Sequence, residues 1–270
     1  MPELPEVETY VRELQPELED RTILEAQVFW PRIIAAPSVS EFVEKIRHQQ
    51  FTTFQRRGKY ILLGLSGGDT LMIHLRMTGE LHLYPPDTPP DKHTHIVYHL
   101  DDQRHLHYRD QRKFGRIWLV RDTEPILGHL GPEPLDDSFT PDVLAQKLEK
   151  RKASIKALLL DQSIVAGIGN IYADEALFRA GIHPTRSGHS LSIVELKRLH
   201  QALHIVLERG IELKGSSLQN YIRFAGTQGN LQEEHQVFRK TGQPCPVCGH
   251  TIERIIVAQR STHFCHVCQL

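Results

Sequence analysis

The sequence predicts an α+β protein: a β-sandwich or barrel with short helices, then a helical segment, then a small metal-stapled hairpin. Three observations lead there. Apolar residues alternate with polar ones through most of residues 1–130, the mark of half-buried strands. After "LGPEPLDDS" (130–138), which has the proline, glycine and acid content of a junction, the apolar spacing becomes helical. All four cysteines fall within the last 26 residues, a clustering that general disulfide stapling does not produce. The breaks divide the chain into segments 1–130, 131–232 and 233–270.

The chain opens on "MPELPE". Pro5 suits the first turn of a helix, where the amide it lacks would be unpaired, and acids suit a helix N-terminus. Val7, Tyr10, Val11 and Leu14 follow at helical spacing, so a short amphipathic helix begins here. That explains Pro5 and Glu6 and leaves Pro2 over. Loss of Met1 would expose a prolyl amine with Glu3 beside it. "TILEAQVFW" then alternates Leu24, Ala26, Val28 and Trp30 at period two. "KYILLGL", "SGGDT" and "LMIHLRM" read as strand, turn, strand, and "GELHLY", "HIVYHL", "RHLHYRD" and "GRIWLV" continue the series. "SVSEFVEKIRH" reads as a helix among the strands, and "PPDTPPDK" (85–92) as a loop. In the second half "PDVLAQKLEKRK", "IKALLLDQ" and "IYADEALFRAG" read as helices. Ser192 and Glu195 form a capping box ahead of the stripe Leu196, Leu199, Leu203 and Leu207. "FAGTQGNLQ" (224–232) reads as a flexible loop.

A chain of 270 residues suits roughly two domains with a sizeable core. No apolar run approaches the ~20 residues that span a bilayer, and the acidic start lacks the basic and apolar regions of a secretory signal. The cytoplasm is the expected compartment, with no membrane partner. A net charge of −1 argues mildly against a polyanion partner, but the charges are segregated. Residues 1–20 carry seven acids against Arg12 alone, whereas Arg104 to Arg116 and Lys147 to Lys156 each hold five Lys or Arg against one acid. Local basic patches matter more for nucleic acid than the sum does.

Cys245-x2-Cys248 and Cys265-x2-Cys268 form two knuckles that offer four thiolates to one tetrahedral zinc. Four thiolates leave no open position, so the Zn2+ is structural. Arg260 stands at the tip of the intervening hairpin, where a phosphate contact or a chance placement both fit. "GIGNIY" (167–172) lacks the third glycine of a dinucleotide fingerprint and the lysine of a phosphate loop. As a turn opening a helix it would aim amides and Asn170 outward, toward a phosphate; packing alone explains the glycines equally well. "YRDQRKFGR" sets Phe114 among Arg109, Arg112, Lys113 and Arg116. An apolar tip on a basic loop suits a wedge between bases, and an ordinary core phenylalanine is the competing explanation. Met77 in "HLRMTG" reads as core by default. The 17 histidines include no H-E-x-x-H signature.

"PELPEVET", Lys59 in "KY", "HLRMTG", "PPDKHTH", "DQRKFGR", "LGPEPL", "GIGNIYADEALFRAGIHP" and the four-cysteine finger occur in one order from Pro2 to Cys268. In this the chain resembles the formamidopyrimidine-DNA glycosylases. The resemblance implies a two-layered β-sandwich with flanking helices, a helix–two-turns–helix domain and a C-terminal zinc-finger β-hairpin. It implies a bifunctional glycosylase and AP lyase that removes oxidised purines from damaged double-stranded DNA, acting as a monomer with no obligatory protein partner. Pro2 would be the nucleophile and Glu3 the proton-transfer group, with Lys59 and Arg260 assisting the eliminations. Met77, Arg112 and Phe114 would fill the void left by an extruded nucleotide. His74, His93, Arg151, Lys156 and Asn170 match positions that contact DNA.

The chain departs from the family pattern in places. Val237-Phe238-Arg239-Lys240 stands where Val-Tyr-Gly-Arg is common, and Asn230 and Leu231 where aromatic residues are common. These departures bear on damaged-base preference rather than on catalysis. Two other identities compete: an endonuclease VIII-like enzyme for oxidised pyrimidines, and a non-catalytic DNA-binding zinc protein. "PELPE" and "DQRKFGR" differ from the first, and retention of Pro2, Glu3, Lys59 and Arg260 together argues against the second.

Overall fold

The computed structural model describes residues 1–216, 224 and 229–270, so residues 225–228 of "FAGTQGNLQ" lie outside the described residues. It divides into two compact units, Met1–Gly128 with Lys214–Gly229, and His129–Leu213 with Asn230–Leu270. The helical segment and the four-cysteine segment therefore belong to the same unit.

The first unit opens with helix α1 (Leu4–Leu18) and strands β1 (Thr22–Val28) and β2 (Ile34–Ala36). Helix α2 (Val39–Ile46) precedes strands β3 (Gln49–Arg57), β4 (Tyr60–Leu65), β5 (Thr70–His74) and β6 (Gly79–Tyr84). Strands β7 (Thr94–Leu100), β8 (His105–Asp110) and β9 (Arg116–Val120) follow, then the one-turn helix α3 (Glu124–Leu127). The strand order is β2-β9-β5-β4-β3-β1-β7-β8-β6. Between β3 and β1 the ladder shrinks to Thr22↔Gln50 and Ile23↔Gln49, and there the strands fold into two layers. Alternation puts Ile61, Leu63, Leu71 and Ile73 of one layer and Ile96, Tyr98, Leu106 and Tyr108 of the other into a single core. Val7, Tyr10 and Leu14 of α1 complete it. Each such side chain contributes about 1.5–3 kcal/mol of burial, so the apolar stripe of α1 is what fixes the chain's first residues to the sandwich.

Two details differ from the sequence reading. A bulge between Ile23 and Glu25 turns Ile23 and Ala26 inward and leaves Leu24 43% exposed, so the alternation begins one residue earlier than expected. Strand β2 pairs parallel with β9; three residues carry too little pattern to announce themselves.

The second unit holds α4 (Pro141–Leu148), α5 (Ile155–Leu160), α6 (Asn170–Ala180), α7 (Ile193–Glu212) and the hairpin β10 (Glu253–Val257) and β11 (Arg260–Phe264). The Ser192–Glu195 capping box forms: the Glu195 amide donates to Ser192 Oγ at 3.3 Å, and the Ser192 amide to Glu195 Oε2 at 2.8 Å. Leu144, Leu148, Ile155, Leu159, Leu177, Leu196, Leu199 and Leu203 share one core, and Val237, Ile252, Cys245 and Cys265 a smaller one under the ribbon. Helix α4 stops before "EKRK", whose charges find no apolar face to join. No helix among the described residues is long and apolar enough to cross a membrane.

His235 is buried, its Nε2 has no hydrogen-bond partner, and burial beside Lys240 and Arg239 pushes its pKa down to about 4. An unfolded histidine titrates near pH 6.5. Between roughly pH 4 and 6.5 the unfolded chain therefore binds the extra proton, and stability falls as pH drops through that window. Urea midpoints measured from pH 4.5 to 7 should rise with pH, and His235→Leu should flatten that rise; an unchanged slope would contradict the assignment.

Candidate active site and nucleic-acid interface

Glu3 is the N-cap of α1, and Pro2 and Glu3 are buried. The Glu6 carboxylate fixes this end: one oxygen accepts the Glu3 amide at 2.9 Å, the other the Ser216 amide at 2.8 Å. Both oxygens are spent on backbone donors, which makes Glu6 an anchor. Gly215, at φ +79°, lies so close that a Cβ would meet the Glu6 side chain at 2.8 Å. Lys59 follows Gly58 in the two-residue turn between β3 and β4 and is only 6% exposed. Arg56, just before it, donates to Glu8 of α1 at 3.0 Å, tying the Lys59 turn to the helix that begins at Pro2 and Glu3.

His74 ends β5. Burial, reinforced by Arg76 and Lys59, lowers its pKa to about 3, so it is neutral at physiological pH. Its Nδ1 accepts the Arg76 amide at 3.0 Å, which leaves the Nε2–H as the donor. Met77 is half-buried in the loop that follows, and His93 half-buried ahead of β7.

The loop after β8 is organised by Asp110, which is fully buried. Its carboxylate accepts the Arg112 amide at 3.1 Å, the Gly115 amide at 2.7 Å and the Thr78 hydroxyl. A Cβ on Gly115 would lie 1.7 Å from the Tyr108 hydroxyl, so only glycine lets the loop close. Phe114 is 49% exposed at the tip, with the Arg112 guanidinium 4.6 Å from its ring. It is not a core residue. Neither Arg112 nor Lys113 makes an ion pair among the described residues.

In the second unit Arg151 is exposed between α4 and α5, and Asn170 is the first residue of α6. Lys156 differs from expectation. Its side chain is 0% exposed, paired with the equally buried Asp174, and donates to the Ser261 carbonyl at 3.1 Å. Asn170 Nδ2 donates to the same carbonyl at 2.9 Å. The other Asp174 oxygen accepts the His263 amide at 3.0 Å and meets His263 Nδ1 at 3.0 Å. Lys156 thus presents no surface for a phosphate in this conformation; its charge holds the strand next to Arg260. Arg260 itself is exposed, after a turn in which Ala258 and Gln259 both have positive φ (48° and 57°). Such turns favour Asn-Gly, so here the buried ion pair and the ladder impose a backbone that the two turn residues resist.

The Cys245, Cys248, Cys265 and Cys268 sulfurs lie within 4.8 Å of one another, with Cys245–Cys268 at 3.8 Å and Cys248–Cys265 at 3.4 Å. Tetrahedral zinc with bonds of about 2.3 Å sets thiolates about 3.8 Å apart. The donor set and its spacing fit one structural zinc.

Three family models match in sequence: the formamidopyrimidine-DNA glycosylase N-terminal domain over residues 1–117, its H2TH domain over 130–221, and a zinc finger found in FPG and IleRS over 242–270. Formamidopyrimidine-DNA glycosylase of Herpetosiphon aurantiacus is 48% identical, covering 100% of both chains, and that of Chloroflexus aggregans 49% identical, covering 100% of this chain and 99% of the relative. The chain belongs to the formamidopyrimidine-DNA glycosylase family. Among solved structures, the MutM (Fpg) protein of Thermus thermophilus superposes with a TM-score of 0.90 at 40% identity, covering 99% and 98% of the two chains. Lactococcus lactis Fpg bound to abasic-site DNA superposes with a TM-score of 0.93 at 36% identity over 99% of each. This protein is accordingly a DNA glycosylase built on a two-layered sandwich, a helical H2TH region and a zinc finger.

Within the glycosylase framework, two supporting residues escaped the sequence reading, Asp110 and Asp174, while Glu6 holds the helix-start, orienting position expected of it. Asp110 stood in plain sight two residues before Arg112 in the "D-x-R" turn pattern. Asp174, inside a helix, gave no local signal. Removing one member of a buried pair strands the other charge at a cost of about 3–5 kcal/mol, whereas replacing both with apolar groups is often neutral. Asp174→Ala should therefore lower the stability of the zinc-loaded protein by that amount in chemical denaturation. The double variant Lys156→Met, Asp174→Leu should recover most of the loss.

Proposed function

We propose that this protein is a bifunctional glycosylase and AP lyase that removes oxidised purines, 8-oxoguanine and formamidopyrimidines, from duplex DNA through a Schiff base at Pro2. The observation that carries the reading is the anchored N-terminus: Pro2 and Glu3 are buried at the start of α1, with Glu6 spent on positioning. With Met1 removed, Pro2 offers a secondary amine whose pKa near 8 leaves a neutral, nucleophilic fraction at physiological pH. Attack on C1′ displaces the base and the amine loses its proton; the sugar C1′–O4′ bond then opens, with Glu3 protonating O4′, as the nitrogen lone pair forms the C1′ iminium. The resulting iminium has no N–H proton to lose, so it keeps its positive charge and withdraws electrons for β-elimination of the 3′ phosphate, with δ-elimination after it. Glu3 transfers protons at the sugar, Lys59 assists the first elimination, and Arg260 grips phosphate and assists the second.

The DNA itself is held by His74, His93, Arg151 and Asn170, with Met77, Arg112 and Phe114 entering the void left by the extruded nucleotide. Lys156 serves this surface from within, by holding Ser261. Lactococcus lactis Fpg has been solved with DNA containing Fapy-dG, at 36% identity and a TM-score of 0.91, which supports damaged duplex as the substrate. The three sequence segments then correspond to catalysis (1–130), DNA binding (131–232) and the zinc finger (233–270), in a cytoplasmic monomer.

Borohydride trapping on damaged duplex tests the nucleophile. Pro2→Gly should trap weakly and retained Met1 should abolish trapping, with the adduct mapping to the N-terminal peptide by mass spectrometry. An adduct on Lys59 would overturn the proline mechanism. The wedge is tested separately. Base–aromatic stacking is worth roughly 1–3 kcal/mol, so Phe114→Ala should slow base excision from duplex by about tenfold. Cleavage of a preformed abasic site should be affected less, and the salt dependence of binding undamaged duplex should stay nearly unchanged. Equal damage to both substrates would deny Phe114 the wedge role.

A further inference from the structure

Asp110 secures the Phe114 loop at its two ends, through the Arg112 and Gly115 amides. Between those ends the loop turns on Lys113, whose φ of +58° is left-handed and unfavourable for a side chain with a Cβ. The tip needs an anchor of its own. The Lys113 ammonium sits 4.0 Å from the centroid of the Trp30 ring, at cation–π distance. Trp30 is half-buried and packs against the sandwich core from the end of β1. Its backbone belongs to the same network: the Phe29 and Trp30 amides donate to the His95 carbonyl at 2.9 and 3.4 Å, and His95 Nε2 lies 2.8 Å from the Asp110 carbonyl.

The two cations of the tip are thus divided between two aromatic rings. Arg112 lies by Phe114 and travels with it, while Lys113 is tethered to a ring rooted in the core. We infer that Trp30 is a positioning residue for lesion recognition: it holds Lys113, and through Lys113 the left-handed turn that projects Phe114 outward. This rests on the wedge reading of Phe114 and adds to it a residue some eighty positions away in sequence. It also explains why a lysine tolerates the left-handed position. A tip held by a cation–π contact, which no acid neutralises, keeps its positive charge toward DNA while staying ordered.

Single-turnover kinetics of the zinc-loaded full chain separate this role from simple packing. Trp30→Leu keeps apolar bulk and removes the ring; Trp30→Phe keeps a ring; Lys113→Met removes the cation. A cation–π contact of ordinary strength corresponds to roughly fivefold in rate. Trp30→Leu should slow excision of 8-oxoguanine from duplex by about that factor and cleave a preformed abasic site within about twofold of wild type. Trp30→Phe should recover most of the loss. The double variant Trp30→Leu, Lys113→Met should be no slower than the worse single variant, since the Lys113–Trp30 contact is lost in each; the Arg32 guanidinium, 5.8 Å from the same ring, is lost with Trp30 in both backgrounds. Losses that multiply, or a Trp30→Leu defect equal on both substrates, would overturn the inference. Should Trp30→Leu melt at much lower temperature, the comparison of Trp30→Phe with Lys113→Met, which leaves the core untouched, still decides: a Lys113→Met defect on abasic cleavage as large as on excision rejects it. A lesion-selective Phe114→Ala with a lesion-blind Lys113→Met would reject Trp30 alone and leave the wedge standing.

Discussion

A chain terminus is ordinarily the least ordered part of a domain, and the proposed chemistry asks this one to present an amine in a fixed place. The Glu6 carboxylate makes that possible. Its two oxygens bond the amide at the cap of α1 and the Ser216 amide, so one buried side chain ties the helix start that follows Pro2 to a segment far along the chain. The hydrogen bonds alone would not suffice against the entropy of an end residue. The apolar stripe of α1, with Val7, Tyr10 and Leu14 wholly buried, supplies the rest. Helix and carboxylate act in series: burial fixes the helix, and the helix start fixes Pro2 and Glu3.

The same division of labour recurs at two basic elements of the proposed DNA-binding surface. A buried acid organises the backbone, and the exposed cation or ring beside it is left free to meet the ligand. Asp110 holds the loop that displays Arg112 and Phe114; Asp174 holds the strand that follows Arg260. Charge-assisted hydrogen bonds from carboxylate to amide are stronger than neutral ones, which suits loops that must stay shaped while binding a polyanion. The arrangement also resolves the near-zero net charge. Acids such as Glu8 and Asp174 are paired with the structural cations Arg56 and Lys156, whereas Arg112 and Lys113 at the loop tip make no ion pair among the described residues.

Much of the architecture was legible in the chain. Period-two alternation located the strands because one face of each is core and the other solvent. The capping box at Ser192 and Glu195 marked the start of α7, since caps are local. Knuckle spacing gave the zinc ligands, because two cysteines separated by two residues in a turn bring both thiolates to one ion. Alternation alone turns Leu24 inward, but a bulge between Ile23 and Glu25 shifts the pleat by one residue, and nothing in "TILEA" records a bulge. Sequence alone leaves Phe114 between core and wedge, since exposure at a loop tip depends on how the ends are held.

What only the tertiary structure decided is where buried charge sits. Lys156, at a position the family resemblance matches to DNA contact, is wholly buried, because Asp174 and the Ser261 carbonyl meet it from 18 and 105 residues away. Sequence patterns report interactions that repeat along one element, such as a helical stripe, a strand's alternation or a cap. An ion pair between elements has no period. Its partners are brought together by the packing of α5, α6 and the ribbon hairpin, and only there does a lysine that reads as surface become the group that holds one.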